Sequence, residues 1–167
     1  MLKMETKQVT VSHLEEVANE FLEENFNLSL NVPIRISKRM TSTFGSFIRT
    51  INNFTGITKE KEIVLSYNLI KYQSYETTID VLKHECVHYA LFKLDKPFKD
   101  GQVYFENTLR RLGVSSTRTY AYKGKAHLYS CSDCSNSFTQ KRKFDTSRYH
   151  CGKCKGSLRY IKEIILK

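Results

Sequence analysis

His84, Glu85 and His88 stand in the stretch "HECVH", a His-Glu-x-x-His spacing. On a helix of 3.6 residues per turn the two imidazoles project from one face about a turn apart, so both can reach a single ion. Glu85 sits beside that face, where its carboxylate can take a proton from water without ligating the ion. Metal-assisted hydrolysis needs this pairing: a Lewis acid that lowers the pKa of water toward ~7, and a base that accepts the proton. The structural alternative is two helical histidines packed against tyrosines. A partly apolar helix gains little from burying a His-Glu-His cluster without a metal, so the metal reading is preferred. Two imidazoles still fall short of the three protein ligands and one open position of a catalytic zinc. The next histidine along the chain is His127.

A second constellation lies near the C-terminus. Cys131-x-x-Cys134 and Cys151-x-x-Cys154 are separated by sixteen residues. Each pair can form a knuckle presenting two thiolates, and two knuckles close a tetrahedral structural zinc site with no open position. A segment this short buries little core, so metal binding should supply much of its folding free energy. His127 and His150 flank the module and are surplus to a four-cysteine set. Cys86, inside the histidine motif, points away from the imidazoles and reads as a small buried residue.

Between and around the knuckles lie Lys141, Arg142, Lys143, Arg148, Lys153, Lys155 and Arg159, interleaved with Phe138, Phe144 and Tyr149. Basic side chains neutralise phosphates, and aromatic faces stack on unpaired bases. Phe138 and Phe144 are better read as the module's small core. The basic residues, with Tyr149, are the candidate nucleic-acid contacts. No base-reading pattern is visible, so the expected partner is DNA that is single-stranded or bound without sequence specificity.

Charge placement agrees. The net charge is +10, and from Thr117 onward 12 Lys/Arg face 3 Asp/Glu, against 15 and 14 in residues 1–116. The excess on the last third suits a polyanion. Forty per cent apolar residues, with ten Phe and ten Tyr, suffice for one packed core plus a small module. The apolar runs are too short to span a bilayer, and no membrane partner is expected. "MLKMETKQVTVSHLEEV" has no apolar leader region, so the expected location is cytoplasmic, where cysteines serve as thiols or metal ligands.

The elements that must position these residues can be read in outline. "SHLEEVANEFLEENF" is a helix with a Ser12–Glu15 capping box and an apolar stripe of Leu14, Val17, Ala18, Phe21 and Leu22. "VPIRISKRM", "FGSFIRT" and "EIVLSY" read as strands of a small antiparallel sheet, with "NNFTG" turning between the second and third. A long helix is predicted from Tyr75 to Leu94, one side traced by Ile79, Leu82, Cys86, Tyr89 or Ala90, and Lys93. It must end before Pro97. "VYFENTLRRLG" is a shorter helix capped by Gly113. Short strands and tight turns follow.

"IVLSYNLIKYQSYETTIDVLKHECVHYALF" resembles the core of the SprT/Spartan family of zinc metalloproteases, and "RMTSTFG" is similar to the sheet region upstream of it. "RYHCGKCKGSL" is similar to the C-terminal zinc ribbon of bacterial SprT-like proteins. The resemblance implies an α+β fold: a small antiparallel sheet packed on a zincin-type HExxH helix core, followed by a β zinc ribbon. The expected domains are residues 1–116, catalytic, and 117–167, a basic nucleic-acid-binding ribbon.

Family members place a third histidine ahead of a short helix, in a pattern like "Y-K-H-x-D-x-x-F". Laid on "FKDGQVYF", that pattern puts Asp100 at the histidine position and Phe105 as the aromatic anchor, so the implied ligand set is His84, His88 and Asp100. A carboxylate binds zinc at a distance close to that of an imidazole, and it penalises harder metals such as Mn²⁺ less. Glu106 reaching back from the following helix is a competing third ligand. Asp95 lies too near the helix end and reads as a turn residue, and a site that has lost its metal is the remaining alternative. The implied activity is a zinc metalloendopeptidase with Glu85 as its catalytic base, one catalytic zinc (or Mn²⁺) and one structural zinc. Its implied substrates are proteins bound or crosslinked to DNA. The rival is a nucleic-acid-binding regulator with a weak or inactive site.

Overall fold

The computed structural model describes residues 9–167. The N-terminal stretch read above for a leader therefore lies largely outside the described residues. The chain divides into two compact units between Tyr120 and Ala121.

The first unit opens with α1, Val11–Phe26, which buries Leu14, Ala18, Phe21 and Leu22 as the stripe predicts. Its cap differs from the expected box. Thr10 is the N-cap and its hydroxyl accepts from His13 N at 3.2 Å, so Ser12 falls inside the first turn. Both are capping residue types, and the helix begins ahead of Ser12 because Thr10 takes the role. Asn27, left-handed at φ 54°, ends the helix.

Three strands follow: β1, Ile34–Ser37; β2, Gly45–Ile51; and β3, Thr58–Ser66. Their order is β1-β3-β2. β2 and β3 are antiparallel through the expected turn, where Gly56 N donates to Asn52 O. β1 pairs with β3 in parallel, so the sheet is mixed where an antiparallel one was expected. The cause is the middle strand. Ile63, Val64 and Leu65 are consecutive and all buried, marking a strand covered on both faces. The hairpin occupies one edge of β3 and leaves β1 the other. The apolar pattern is the same for either direction, so only the connection decides it.

Ser66 ends β3, donates its hydroxyl to Met40 O and caps a short helix that the sequence reading missed, α2, Tyr67–Tyr72. The central helix is α3, Tyr75–Lys93, capped by Ser74. One apolar side was expected, yet Thr78, Val81, Leu82, His84, Glu85, Cys86, Val87, Tyr89, Ala90 and Leu91 are all buried. Sheet, α1 and a later helix, α4 (Val103–Leu112), pack around it, so most of its middle is buried, with Asp80, Lys83 and His88 part-exposed. Burying each Leu or Val here stabilises by ~1.5–3 kcal/mol. Tyr89 is fully buried with its hydroxyl satisfied, donating to Ser29 O at 2.9 Å and accepting from Asn31 N at 3.1 Å. Asp95, at φ 54°, turns the chain out of α3 ahead of Pro97. α4, Val103–Leu112, ends at Gly113 with φ 66°, the expected cap.

The second unit is a three-stranded antiparallel sheet, with β4, Gly124–Cys131, between β5, Ser137–Gln140, and β6, Leu158–Leu166. Its core is aromatic. Tyr129 is fully buried and stacks on Phe144 at 4.2 Å, with Phe138 and Tyr160 beside it. Phe138 and Phe144 are therefore filling, as expected. The chain is mixed α+β with two small sheets. Among the described residues no helix is long and apolar enough to cross a membrane.

Candidate metal centres

α3 sets His84 and His88 one turn apart, and their Nε2 atoms lie 3.1 Å from each other. Asp100, in the turn between α3 and α4, brings Oδ1 to 3.2 Å from His84 Nε2 and 3.8 Å from His88 Nε2. The three form one group of possible ligands. The tautomers follow from the other ring nitrogens. His84 Nδ1 lies 3.1 Å from Ser115 O and His88 Nδ1 is bonded to Phe98 O. A carbonyl only accepts, so each Nδ1 carries the proton and each Nε2 presents a lone pair. Two lone pairs and a carboxylate oxygen facing one point repel unless a cation lies among them. Carbonyl acceptors behind ligating imidazoles are the usual supporting arrangement. The donor set therefore fits a divalent ion.

Burial, with His84 beside it, holds the His88 pKa below the usual imidazole value, which keeps its ring neutral. Phe105, fully buried on α4, stacks on His88 at 4.2 Å and meets His84 edge-on at 5.3 Å. It is the aromatic anchor expected at that position. Asp100 keeps a side-chain exposure of 38% against 1% for His84, so this corner of the group opens to solvent.

The competitors for the third position are otherwise engaged. Glu106 Oε1 accepts from Gly101 N at 2.8 Å, and Gly101 has φ 81°. Glu106 thus closes the turn that presents Asp100. Asp95 is the exposed turn residue at the end of α3.

Glu85 is 4% exposed and lies under β2. Ile63 N donates to Pro33 O on the β1 side, which makes its partner Phe47 a non-ladder position of the β2–β3 pair. The Phe47 N–H is therefore free of the ladder and donates to Glu85 Oε2 at 2.8 Å. Burial pushes the Glu85 carboxyl up to about 8, the Phe47 hydrogen bond opposing and Asp100 adding to the rise. Cys86 is fully buried, and burial pushes its thiol pKa up, so it stays protonated as a core residue.

In the second unit Cys131, Cys134, Cys151 and Cys154 converge. Sγ–Sγ distances of 3.5 Å for Cys131–Cys154 and 3.8 Å for Cys134–Cys151 match a tetrahedron with Zn–S bonds of about 2.3 Å. The knuckles are alike: Ser135 and Lys155, each directly after the second cysteine of its pair, have φ 55° and 63°. Backbone N–H groups of Cys154 and Lys153 hold the Cys151 thiol down to about 7, favouring the thiolate. His127 leans on Tyr160 and His150 bridges to Ser157, and the cysteine group closes without either.

Lys141, Arg142, Lys143, Arg148, Tyr149, Lys153, Lys155 and Arg159 are all exposed. Lys141 Nζ lies 4.5 Å over the Tyr122 ring and Lys143 Nζ 4.4 Å over Tyr160. Arg148 pairs with Asp145 at 3.4 Å.

Sequence reasoning missed Ser115 and Phe98. Both act through backbone carbonyls, which leave no signature in residue type.

A SprT-like family profile matches residues 11–117, and a SprT-like zinc ribbon domain matches residues 127–162. Among curated proteins, one named Protein SprT-like from Streptococcus gordonii is 29% identical over 160 residues, covering 90% of this chain and 98% of the relative. Proteins of the same name from Lactococcus lactis and Bacillus subtilis are 25% and 24% identical, covering 93% and 89% of this chain and 95% of each relative. No solved structure matches.

Proposed function

The chain belongs to the SprT-like family, and from that premise we propose that it is a zinc-dependent metallopeptidase acting on proteins bound or crosslinked to DNA. The supporting observation is the convergence of His84 Nε2, His88 Nε2 and Asp100 Oδ1 on one point of the buried helix α3. On this reading the first unit is a zincin-type core. A divalent ion in that group supplies Lewis acidity toward a peptide carbonyl and lowers the pKa of water.

The chain's own residues do the rest. His84 and His88 offer neutral nitrogens held by Ser115 O and Phe98 O. Asp100 contributes an anionic oxygen, which reduces the net positive charge of the site and admits Mn²⁺ as well as Zn²⁺. Glu85 accepts the proton of the attacking water on its carboxylate and returns it to the leaving amine. Burial raises its pKa to about 8, and a cation held beside it by His84, His88 and Asp100 would favour the carboxylate that this role needs.

The zinc ribbon domain with its four-cysteine cluster holds the structural zinc. Its exposed basic residues bind the phosphates of single-stranded or non-specific DNA, in the cytoplasm, and deliver the peptidase to its substrates.

The test is cleavage of a DNA-binding protein with and without single-stranded DNA, comparing wild type with Glu85→Gln. The wild type should cleave, faster with DNA, while Glu85→Gln keeps its zinc and is inert. Wild type and variant equally inert, with DNA still bound, would assign the chain to nucleic-acid-binding regulators.

A further inference from the structure

α3 carries another acidic side chain one turn ahead of His84, on the same face. Asp80 accepts the Ser115 N–H at 3.2 Å on Oδ2 and 3.4 Å on Oδ1. It also accepts the Tyr120 hydroxyl on Oδ2. The carbonyl of the same Ser115 receives the His84 Nδ1 proton at 3.1 Å. Ser115 thus lies along α3 with its N–H on Asp80 and its C=O on His84. The segment after Gly113 has one 3-10 turn, Thr117–Thr119, as its regular structure. Asp80 clamps this segment at Ser115 and again at Tyr120.

A backbone carbonyl orients an imidazole only as well as the carbonyl is itself held. The Asp80 hydrogen bonds fix Ser115, and Ser115 fixes which His84 nitrogen is protonated. Burial and the Asp80 carboxylate push the Tyr120 hydroxyl pKa up, so it remains a donor. We propose that Asp80 is a positioning residue for the ligand His84, acting through Ser115, with Tyr120 as its second anchor. The inference rests on the metal reading above in one respect, that His84 ligates. The tautomer it assigns to His84 is independent of any metal.

The experiment uses the full chain with Asp80→Ala, Asp80→Asn and Tyr120→Phe, and two readouts. Long-range proton–nitrogen NMR of the metal-free protein should show His84 protonated on Nδ1 in the wild type. It should show mixed tautomers in Asp80→Ala and recovery in Asp80→Asn, whose amide oxygen still accepts from Ser115. Zinc titration against a competing chelator should show the weaker, non-cysteine equivalent loosened by about 10–100-fold in Asp80→Ala and less in Tyr120→Phe. The cysteine equivalent should not change. An unaltered His84 tautomer in folded Asp80→Ala, or unaltered affinity at its weaker centre, overturns the proposal. If Asp80→Ala fails to fold, Tyr120→Phe decides: a loosened weaker centre supports the proposal, and unaltered affinity there overturns it. If the wild type takes up one zinc only, the metal reading falls, and the tautomer comparison still tells whether Asp80 sets His84.

Discussion

Gly45 lies so close to Glu85 that a Cβ at this position would stand 2.8 Å from both Glu85 Cγ and Oε1, and 3.0 Å from Val81 Cγ1. No side chain larger than hydrogen fits between β2 and the helix beneath it. Glu85 itself hydrogen-bonds the strand two residues on, at Phe47 N. Gly45→Ala should therefore push the Glu85 carboxylate off its place. Overpacking of this kind costs about 1–3 kcal/mol. The expected outcome is a folded protein of lower melting temperature that keeps both zinc ions and has lost most of its peptide hydrolysis. Full activity in Gly45→Ala would show that the position of Glu85 under β2 is irrelevant to the chemistry.

The ribbon should depend on its metal far more than the first unit does. Its core is a handful of aromatics around Tyr129, too small to fold the segment unaided. Cys151→Ser removes the buried ligand whose thiol is already held down to about 7. We expect loss of one zinc per chain and collapse of the ribbon's NMR dispersion, while the helical signal of the first unit persists. Unchanged ribbon resonances in zinc-depleted Cys151→Ser would contradict the claim that metal binding drives its folding.

How much of this was legible in the sequence varies with the kind of signal. His84, Glu85, His88 and the two cysteine pairs have fixed spacings, and a helix or knuckle turns spacing directly into geometry. The ends of α3 and α4 were readable because Pro97 and Gly113 act through local backbone sterics. Asp100 was legible only through the family pattern, since "KDG" is equally a turn sequence, and the structure shows it in both settings at once. The parallel placement of β1 was not legible, because alternation of side chains is the same for either strand direction. Thr10 displaced Ser12 as a cap because two capping residue types stood two positions apart. Ser115 O and Phe98 O could not be foreseen, since any residue supplies a carbonyl. The burial of most of the middle of α3 was hidden by its polar residues, of which His84 and Glu85 are buried at the candidate site.

Removing the basic turn after β5 separates charge from fold. Lys141 and Lys143 rest over tyrosine rings, so truncating them costs about 0.5–1 kcal/mol each in local packing and cation–π attraction. The triple variant Lys141→Ala, Arg142→Ala, Lys143→Ala should remain folded and bind single-stranded DNA more weakly. The slope of log affinity against log salt should flatten by about 0.7 for each phosphate that the variant no longer neutralises. Equal slopes for variant and wild type would remove this turn from the DNA-binding surface.

Diffraction at the zinc absorption edge tests the coordination group of His84, His88 and Asp100 most directly. Crystals grown with excess zinc should show, besides the cysteine-bound ion, an anomalous peak about 2.0–2.2 Å from His84 Nε2, His88 Nε2 and an Asp100 oxygen. In Asp100→Ala that second peak should weaken or vanish, and Asp100→His should restore it. No second peak in the wild type, or a zinc held with the Asp100 carboxylate turned out to solvent, would contradict the account.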